Sequence, residues 1–525
     1  MISDRLTGGE DRRGRWGEVW YAWTRPQTIA MLFLGFAAGL PILLIFSSLS
    51  LWLREAGVDR AAVTYFSWAA LAYSFKFVWA PLVDKLPLPV LTNMLGRRRA
   101  WLLLAQLMVI TAICWMALIN PADSEQALTV MALAAVLLGF SSATQDIVID
   151  AYRIEIVEAK LQAMLSAAYT AGYRIGMVVA GAGALFLAQA LGSTSDTYEY
   201  QAWMWTYLTM AGVMGVGVIT TLLIREPEGK PGESRYLHKT SDYLRFLLLF
   251  ALMVVGLISS YSITQPVTEA LQEALSGGIF AAFIANVLHL LLAIVGALFT
   301  GYLSSLFGVT RREILGETYI SPVLEFFNRY GLRIALFLLL LVGFYRVSDI
   351  VLGVIANLFY QDMGFSKNEI AAVTKTFGLL MSIVGSFLGG MLTIRFGVIA
   401  ILFVGALLSA ATNLLFLLLA SSGHDIVLLT IVIAADNISG GLAVAAFIAF
   451  LSSLTNISFT AMQYAIFSSL MTLFPKLLGG YSGSMVEAID YEGFFILTTL
   501  MGLPVLLLVW YAGRLLKQDE PTDAD

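Results

Sequence analysis

The stretch Phe140-Ser-Ser-Ala-Thr-Gln-Asp-Ile-Val-Ile-Asp-Ala-Tyr-Arg153 decides how the fold of this chain is interpreted. It continues an apolar run that begins at Ala127, so we interpret it as the second half of a membrane-spanning helix. At about 3.6 residues per turn its polar side chains fall on one side of the helix. They are Ser142, Gln145, Asp146, Asp150 and Arg153. Polar groups in hydrocarbon face a bundle interior or a wet cavity, so the stretch predicts a membrane protein with a functional cavity.

The composition agrees with a chain that lies mostly in lipid. Hydrophobic residues make up 59% of the 525 residues, charged residues only 13%, and the mean hydropathy is +0.81. A soluble domain would be about 25% charged. The net charge of −5 argues against a nucleic-acid partner, and the single cysteine, Cys114, excludes a disulfide framework and a cysteine metal site. The first 27 residues are polar, and the apolar helix after them is too long for a signal peptide.

Apolar runs of about 20 residues, the length that crosses a bilayer, recur through the whole chain. We predict fourteen membrane-spanning helices: 28–52, 62–84, 100–120, 126–150, 161–190, 203–224, 243–265, 278–308, 333–360, 367–391, 397–420, 426–454, 457–482 and 493–515. Most of the Lys and Arg residues fall in alternate loops, on the side that carries Arg97–Arg99 and the segments 225–245 and 311–333. By the positive-inside rule, both termini are expected in the cytoplasm.

The predicted helices form two blocks of six. The expected order is a cytoplasmic N-terminal segment (1–27), a first block (28–224), two polar linkers with two further helices (225–332), a second block (333–515) and a cytoplasmic tail (516–525). Two six-helix halves are the layout of the major facilitator superfamily, in which substrate binds between the halves near the midplane. The predicted fold class is therefore an all-α integral membrane protein with two six-helix bundles and two inserted helices, which we expect to shield the core laterally.

Polar motifs mark the ends expected in the cytoplasm. Pro81-Leu-Val-Asp84 followed by Gly96-Arg-Arg-Arg99 resembles the motif that joins helices 2 and 3 in that superfamily, in which an Asp pairs with loop arginines. We interpret Asp84 with Arg98, and Asp150 with Arg153, as candidate gates. In the second linker, Tyr319–Gly331 mixes aromatic and charged residues and is interrupted by Pro322, which predicts a short amphipathic helix at the membrane surface.

Eight ionisable side chains are expected near the middle of the spans. The cations are Lys76, Arg174, Arg346 and Lys375, and the carboxylates are Asp146, Asp150, Asp349 and Asp436. Each has a plainer interpretation as a structural ion pair, and the i,i+3 spacing of Arg346 and Asp349 allows them to neutralise each other. Together the eight groups predict a cavity that is near neutral when empty and positive when some carboxylates are protonated. Such a cavity suits an acidic substrate that is transported together with protons.

Signatures of catalysis are missing. The chain has no G-x-x-x-x-G-K-[ST] for nucleotide phosphates and no H-E-x-x-H for zinc, and Gly480-Tyr-Ser-Gly-Ser484 lacks the last glycine of a nucleophile elbow. No soluble stretch is long enough for an ATPase domain. We therefore expect no enzymatic activity, no cofactor and no metal, and we expect the energy to come from an ion gradient or from the substrate gradient.

Motifs along nearly the whole chain resemble the AmpG muropeptide permease family of Gram-negative inner membranes. They are Leu32–Pro41, Phe75–Asp84, Gly96–Leu102, Ser142–Tyr152, Gly172–Gly176, Lys375–Leu380, Asp436–Gly441 and Thr460–Tyr464. The resemblance implies import of anhydro-muropeptides, which are N-acetylglucosamine linked to 1,6-anhydro-N-acetylmuramic acid with or without peptide. It also implies dependence on the proton-motive force, and roles in peptidoglycan recycling and β-lactamase induction.

The polar side chains are assigned to three roles. Candidate substrate ligands are Lys76, Gln145, Asp146, Tyr173, Arg174, Arg346, Lys375, Asp436, Asn437, Gln463 and Tyr464: the cations for carboxylates, the amides for sugar or peptide groups, and the tyrosines for stacking on pyranose rings. Candidate proton sites are Asp146, Asp150 and Asp349. Candidate gating residues are Asp84, Arg98, Asp150 and Arg153.

Two alternatives stay open from the sequence. The same fold could carry another acidic solute, such as acetyl-coenzyme A or a siderophore, or the protein could be a membrane sensor that does not transport. In the main interpretation the partners are a small-molecule substrate and the lipid bilayer, and the protein is expected to be monomeric.

Overall fold

The computed structural model describes residues 24–58, 73, 75–158, 161–194, 197–227, 240–274 and 279–518. The helices used below are α1 Pro26–Glu55, α2 Ala80–Lys85, α3 Leu91–Leu95, α4 Arg97–Ala117, α5 Glu125–Ile156, α6 Gln162–Ala190, α7 Tyr200–Leu223, α8 Thr240–Ala274, α9 Ile279–Leu306, α10 Ser321–Phe344, α11 Val347–Asp362, α12 Ala371–Phe396, α13 Val398–Ser422, α14 Ile426–Leu454, α15 Thr460–Gly479 and α16 Ser482–Gln518.

Thirteen of the described helical runs are long and apolar enough to cross a membrane. They correspond one for one to thirteen of the fourteen predicted spans. The remaining prediction, 62–84, lies mostly outside the described residues, and its described end includes α2. A helical fold is what hydrocarbon requires, because a helix satisfies its backbone polar groups internally.

Buried apolar side chains form separate cores in the first and second parts of the chain. One cluster is built almost entirely from residues 326–516. Two other clusters are built mainly from residues 31–214. The described chain therefore packs as two helical bundles, with α8 and α9 inserted between them in sequence.

The inserted helices α8 and α9 pack tightly against each other through small residues. A Cβ atom added to Gly296 would lie 1.7 Å from Ser260 Oγ, and one added to Gly256 would lie 2.4 Å from Thr300 Oγ1. Their outer faces are apolar and exposed, as at Ile263. Because exposed apolar side chains are stable only in lipid, the pair forms a hairpin at the periphery of the bundle.

The segment before α10 forms the predicted amphipathic helix, but the predicted interruption at Pro322 is wrong. Helical residues run from Arg312 through Gly316–Ile320 into α10, and we call residues 312–330 the linker helix. Pro322 lies at the start of α10, directly after the π-helical turn Gly316–Ile320, and helical residues continue on both sides of it. The chain turns instead at Gly331, whose φ of +72° is a conformation that glycine adopts without steric strain.

The predicted helix 333–360 is also not continuous. It is interrupted after Phe344, and α11 begins at Val347. Arg346, between the two helices, has φ −105° and ψ 13°, which lies outside the helical range. The break places a helix N-terminus near the middle of the span. Broken helices of this kind form substrate and ion sites in transporters.

Helices α1 and α6 approach each other closely at glycines. A Cβ atom on Gly39 would lie 2.0 Å from the carbonyl oxygen of Tyr173, and one on Gly172 would lie 1.9 Å from that of Leu32. Only glycine permits this backbone approach. The contact fixes the position of α6, and with it the side chains of Tyr173 and Arg174.

Candidate substrate cavity

The polar face predicted for α5 contacts side chains from neighbouring helices. Tyr169 Oη donates a hydrogen bond to Asp146 Oδ1 at 3.3 Å. Lys76 Nζ lies 3.5 Å from Asp150 Oδ2, and the guanidinium of Arg153 lies 3.5 Å from Asp150 Oδ1. The side chains of Asp146, Asp150 and Arg153 are all buried. Asp150 therefore lies between two cations, whereas Asp146 contacts a neutral hydroxyl.

Arg153 connects the two halves of the protein. Its side chain is 0% exposed. One guanidinium nitrogen lies 3.0 Å from Gln162 Oε1, 3.1 Å from Ser166 Oγ and 2.8 Å from Ser452 Oγ. The guanidinium also lies 5.2 Å from the ring centroid of Tyr464. Because Ser452 and Tyr464 belong to the second half, Arg153 joins the halves at this depth.

Gln145 is the one buried polar side chain of the α5 face without a described partner. It is 0% exposed, and neither its amide nitrogen nor its amide oxygen has a hydrogen-bond partner among the described residues. Its neighbour Ser142, by contrast, accepts a hydrogen bond from Tyr73 Oη at 2.7 Å. An unsatisfied buried amide costs about 1–3 kcal/mol. Gln145 therefore carries donors and an acceptor that the fold itself does not use.

The second half carries its own cluster of charges. Arg346 Nε lies 3.7 Å from Asp349 Oδ2, so the predicted i,i+3 pair is loose. Thr412 Oγ1 donates to Asp436 Oδ1 at 3.5 Å. Asp436 is also close enough to Asp349 and Arg346 for their charges to interact. Asp349 and Asp436 thus interact with the same cation, Arg346, and do not each have a cation of their own.

Asn437 lies beside this cluster, at the contact of α14 with α12. Its Nδ2 donates to the carbonyl oxygen of Ile433 at 2.9 Å, within the same helix. A Cβ atom on Gly378 of α12 would lie 3.1 Å from the same nitrogen. One amide hydrogen of Asn437 is therefore already used, which distinguishes this residue from Gln145.

Arg174 in the first half lacks the carboxylate partner that Arg346 has in the second half. Arg174 on α6 is close enough to Arg346 for their like charges to interact. Among the described residues, no carboxylate oxygen lies within 4.0 Å of a side-chain nitrogen of Arg174 or Lys375. Lys375 is exposed. Like charges that interact favour the binding of an anion near them.

Three of the four predicted cations lie where helical hydrogen bonding is interrupted. Lys76 starts a single 3₁₀ turn, flanked by Phe75 at φ −104°. Arg346 occupies the break before α11, and Lys375 lies in the π-helical turn Ala371–Phe377 that opens α12. π-bulges and 3₁₀ turns inside helices are frequent at functional sites. Gly343 precedes the break at Arg346 and Gly378 follows the π-helical turn of Lys375, but a single glycine inside an apolar run does not by itself predict an interruption.

Asp84 joins the halves at the end of the protein that carries the linker helix, which we call the linker end. Arg98 donates to Asp84 Oδ1 at 2.8 Å. The backbone N–H groups of Ala461 and Met462 donate to the same carboxylate at 3.1 and 2.8 Å. These are free N–H groups of the first turn of α15, so Asp84 caps a helix of the opposite half. The sequence motif predicts the Asp84–Arg98 pair but not the contact of Asp84 with the N-terminus of α15.

Further contacts keep the halves together at the linker end. A Cβ atom on Gly390 of α12 would lie 3.1 Å from the carbonyl oxygen of Ala163 and 2.8 Å from the Cβ of Ala167, both on α6. The helices of the two halves therefore touch through their backbones. With the Arg153 and Asp84 contacts, this packing closes the linker end in the described structure.

Two glutamates that were not among the predicted gating residues form hydrogen bonds with Arg98 and with the start of α4. Glu155 accepts from Arg98 at 2.6 and 2.9 Å. Glu226, in the linker after α7, accepts from the backbone N–H groups of Arg98 and Arg99 at 2.7 and 3.0 Å, which caps α4. Burial raises the pKa of the Glu226 carboxyl above its ordinary value, and the two backbone hydrogen bonds partly oppose this shift. Neither glutamate was singled out from the sequence.

Gln463 does not lie where its expected role requires. Its Nε2 donates to Glu325 at 2.6 Å and to the carbonyl oxygen of Pro322 at 2.8 Å, and its Oε1 accepts from the N–H of Asn456 at 2.7 Å. These bonds fasten the linker helix to α15. Tyr464, one residue on, covers the Arg153 guanidinium. Both side chains are engaged in contacts that hold the closed linker end together.

Comparison with known sequences identifies the family. Residues 28–321 and 335–524 match the Major Facilitator Superfamily. A putative transporter AmpG 4 of Rickettsia conorii is 30% identical over 478 residues, covering 91% of this chain and 94% of that protein. The chain belongs to the AmpG family of the major facilitator superfamily. The anhydromuropeptide permease of Escherichia coli K12 is 28% identical over 500 residues, covering 95% of this chain and 82% of that protein.

Solved structures agree on the fold of this AmpG-family chain. The proton:xylose symporter XylE bound to 6-bromo-6-deoxy-D-glucose aligns with a TM-score of 0.57 at 13% identity, covering 95% of this chain and 96% of that one. The human organic anion transporter MFSD10 aligns with a TM-score of 0.53 at 14% identity, covering 93% and 100%. The protein is therefore a multi-pass inner-membrane transporter and not an enzyme.

Proposed function

We propose that this protein imports anhydro-muropeptides through the inner membrane, with protons moving in the same direction. The cargo is suggested by the Escherichia coli relative, whose name is anhydromuropeptide permease. The observation that carries the proposal is the approach of Arg174 and Arg346 across the halves without a carboxylate to balance Arg174. A muropeptide with its peptide carboxylates supplies that missing negative charge.

The rest of the cavity suits the neutral parts of such a cargo. The amide of Gln145 has no hydrogen-bond partner among the described residues. Sugar hydroxyls and acetamido groups can both donate hydrogen bonds to its oxygen and accept them from its nitrogen. The start of α11 at Val347 directs helix N–H groups toward the same region, next to Arg346. A helix N-terminus favours a negative group through its dipole. Tyr173 remains a candidate for stacking against a sugar ring.

Asp150 is the proton site that best couples to the cargo. In the described structure its carboxylate lies 3.5 Å from both Lys76 and Arg153. A proton placed on this carboxylate would free Lys76 to bind a substrate carboxylate. The proton and the anion would then enter together, and departure of the proton would return Lys76 to Asp150 and release the cargo. Asp146 and Asp349 are the alternative proton sites.

We propose that both termini and the linker end face the cytoplasm. The Lys and Arg residues around 97–99, 225–245 and 311–333 support this orientation through the positive-inside rule. The contacts of Asp84 and Arg153 then form a cytoplasmic gate, closed while cargo enters from the periplasm. Opening this gate and closing the opposite end would deliver the cargo, as in alternating access. Import of this kind would serve peptidoglycan recycling and signal cell-wall damage for β-lactamase induction.

Uptake into membrane vesicles tests the proposal. Vesicles that contain the protein should accumulate radiolabelled N-acetylglucosaminyl-1,6-anhydro-N-acetylmuramyl peptide, and an uncoupler should abolish accumulation. Vesicles with an Arg174→Ala variant, inserted at the same level, serve as the control. Absence of uptake refutes the cargo, and uptake that ignores the uncoupler refutes the coupling. Competition by acetyl-coenzyme A or a siderophore, but not by unlabelled muropeptide, would indicate the other cargo class.

A further inference from the structure

A long apolar groove lies between α15, the inserted helices α8 and α9 and the linker helix, and Phe77 and Val78 also line it. Its volume is about 270 Å³. On α15 it follows one helix face from Met462 through Ile466, Leu470 and Leu473 to Leu477. At a rise of about 1.5 Å per residue this face is about 22 Å long. Half of a bilayer's hydrocarbon core is about 15 Å deep, so the groove can hold a fatty chain that spans one leaflet.

The groove opens sideways, toward the lipid-facing surface of the protein. Its opposite wall is one face of α9, which includes Val287, Leu291, Ile294 and Leu298. Leu291 is 52% exposed, whereas Ala297 at the back of the groove is 7% exposed. An apolar opening of this kind at membrane depth gives lipid chains access without passing through water.

Two buried hydroxyls in the groove wall indicate a ligand that carries oxygen acceptors. Tyr319, on the linker helix, is 8% exposed, and Ser469, on α15, is 2% exposed. Neither hydroxyl has a hydrogen-bond partner among the described residues. Both residues line the groove. A hydroxyl left unpaired in an apolar site is costly, so a ligand that accepts hydrogen bonds would be favoured over pure hydrocarbon.

We propose that this groove is a specific binding site for a glycerophospholipid of the leaflet at the linker end. One acyl chain lies along α15, and the ester carbonyls accept hydrogen bonds from the hydroxyls of Tyr319 and Ser469. The described lining residues carry no charge, so the polar head stays outside the groove, at the membrane surface beside the linker helix. The same argument excludes a muropeptide, whose sugars and carboxylates find no partners here.

The site gives the inserted helices a role beyond lateral shielding. A lipid held between α9 and the linker helix would connect the inserted hairpin to the segment that Gln463 and Glu325 fasten to α15. It would thereby stabilise the arrangement in which the linker end is closed. This role does not depend on the cargo, so it stands or falls separately from the proposed transport activity.

Native mass spectrometry of the full-length protein, released from nanodiscs of phosphatidylethanolamine and phosphatidylglycerol, tests the site. The wild-type protein should retain one phospholipid at collision energies that remove detergent. Leu291→Trp, which fills the opening, should lose the lipid. Tyr319→Phe and Ser469→Ala should each reduce retention by about fivefold, the factor expected for one neutral hydrogen bond.

Val295→Trp is the matched control, because Val295 is also lipid-exposed on α9 but does not line the groove. It should retain lipid as the wild type does. Tyr319→Phe removes a single hydroxyl, so its result remains decisive if Leu291→Trp fails to fold. Equal lipid retention in wild type, Leu291→Trp and Tyr319→Phe would overturn the proposal. So would a second copy of the chain that replaces the lipid in the wild-type spectrum.

Discussion

Asp84 Oδ2 accepts a 2.8 Å hydrogen bond from the backbone N–H of Met462, although the two residues lie 378 positions apart. The bond joins the end of α2 to the first turn of α15, one from each half of the protein. The carboxylate meets a helix N-terminus that carries roughly half a positive charge. It is therefore a contact that exists only while the linker end is closed, and it should control how often that end opens.

The first prediction concerns this contact. Asp84→Asn keeps the size of the side chain but removes the charge that Arg98 and the N-terminus of α15 attract. The linker end should open more often, and a Thr455→Cys probe in a Cys114→Ser background should react with a maleimide about tenfold faster. Thr455 is buried at the end of α14 in the closed state, so its reactivity reports opening.

Asp123→Asn is the control for that measurement. Asp123 is an exposed residue in the loop between α4 and α5, at the end opposite the Asp84 contact, where it accepts a hydrogen bond from Asn120. This variant should leave the reactivity of the probe unchanged. Equal reactivity in Asp84→Asn and wild type would mean that the capping contact does not hold the gate.

The second prediction separates stability from transport at Gln145. Gln145→Leu removes an amide that has no described partner and keeps a similar volume. Thermal stability should stay the same or rise, because a buried unsatisfied group is lost. Muropeptide uptake should nevertheless be abolished, because the substrate loses its only fully buried amide ligand. Thermal unfolding in detergent and vesicle uptake measure the two effects.

Gln463→Leu provides the opposite outcome from the same chemical change. Its amide makes hydrogen bonds to the linker helix and to Asn456, so its loss should destabilise the protein by about 1–3 kcal/mol. If Gln145→Leu lowers the melting temperature as much as Gln463→Leu does, Gln145 is a structural residue and its assignment to the substrate is wrong.

The third prediction concerns the proton site. Asp150→Asn removes the carboxylate between Lys76 and Arg153 but preserves its shape. The maximal uptake rate should fall by about tenfold or more, while the half-saturating substrate concentration changes little, because Lys76 stays free to bind the anion. Uptake at varied external pH should also lose its proton dependence. A variant with a normal rate and weakened binding would place Asp150 in the substrate site and not in the coupling step.

The polar face of α5 could be predicted from the sequence because it depends only on the spacing of polar residues along one helix. The spacing of Asp146, Asp150 and Arg153 follows the helical repeat, and the structure places their partners on that one face. The fourteen spans follow from hydropathy in the same way. Thirteen of them are found among the described residues.

Other features depend on contacts between segments far apart in the chain, and sequence periodicity carries no information about them. Gln463 was expected in the cavity because it lies in a polar stretch, but α15 starts only at Thr460, which places Gln463 in the first turn at the linker end. The break at Arg346 follows Gly343, but a single glycine inside an apolar run was not enough to predict it. Pro322 was a misleading signal, because helical residues continue on both sides of this proline.

The central claim is that Arg174 and Arg346 hold the negative charge of a muropeptide between the halves. Proteoliposomes with an imposed pH gradient can compare uptake of labelled N-acetylglucosaminyl-anhydro-N-acetylmuramyl peptide with that of the same compound after amidation of its carboxylates. The acid should enter at least about tenfold faster than the amide, the factor expected for a lost charge-assisted hydrogen bond, and Arg174→Gln should remove the difference. Equal uptake of the acid and the amide by the wild-type protein would contradict the account.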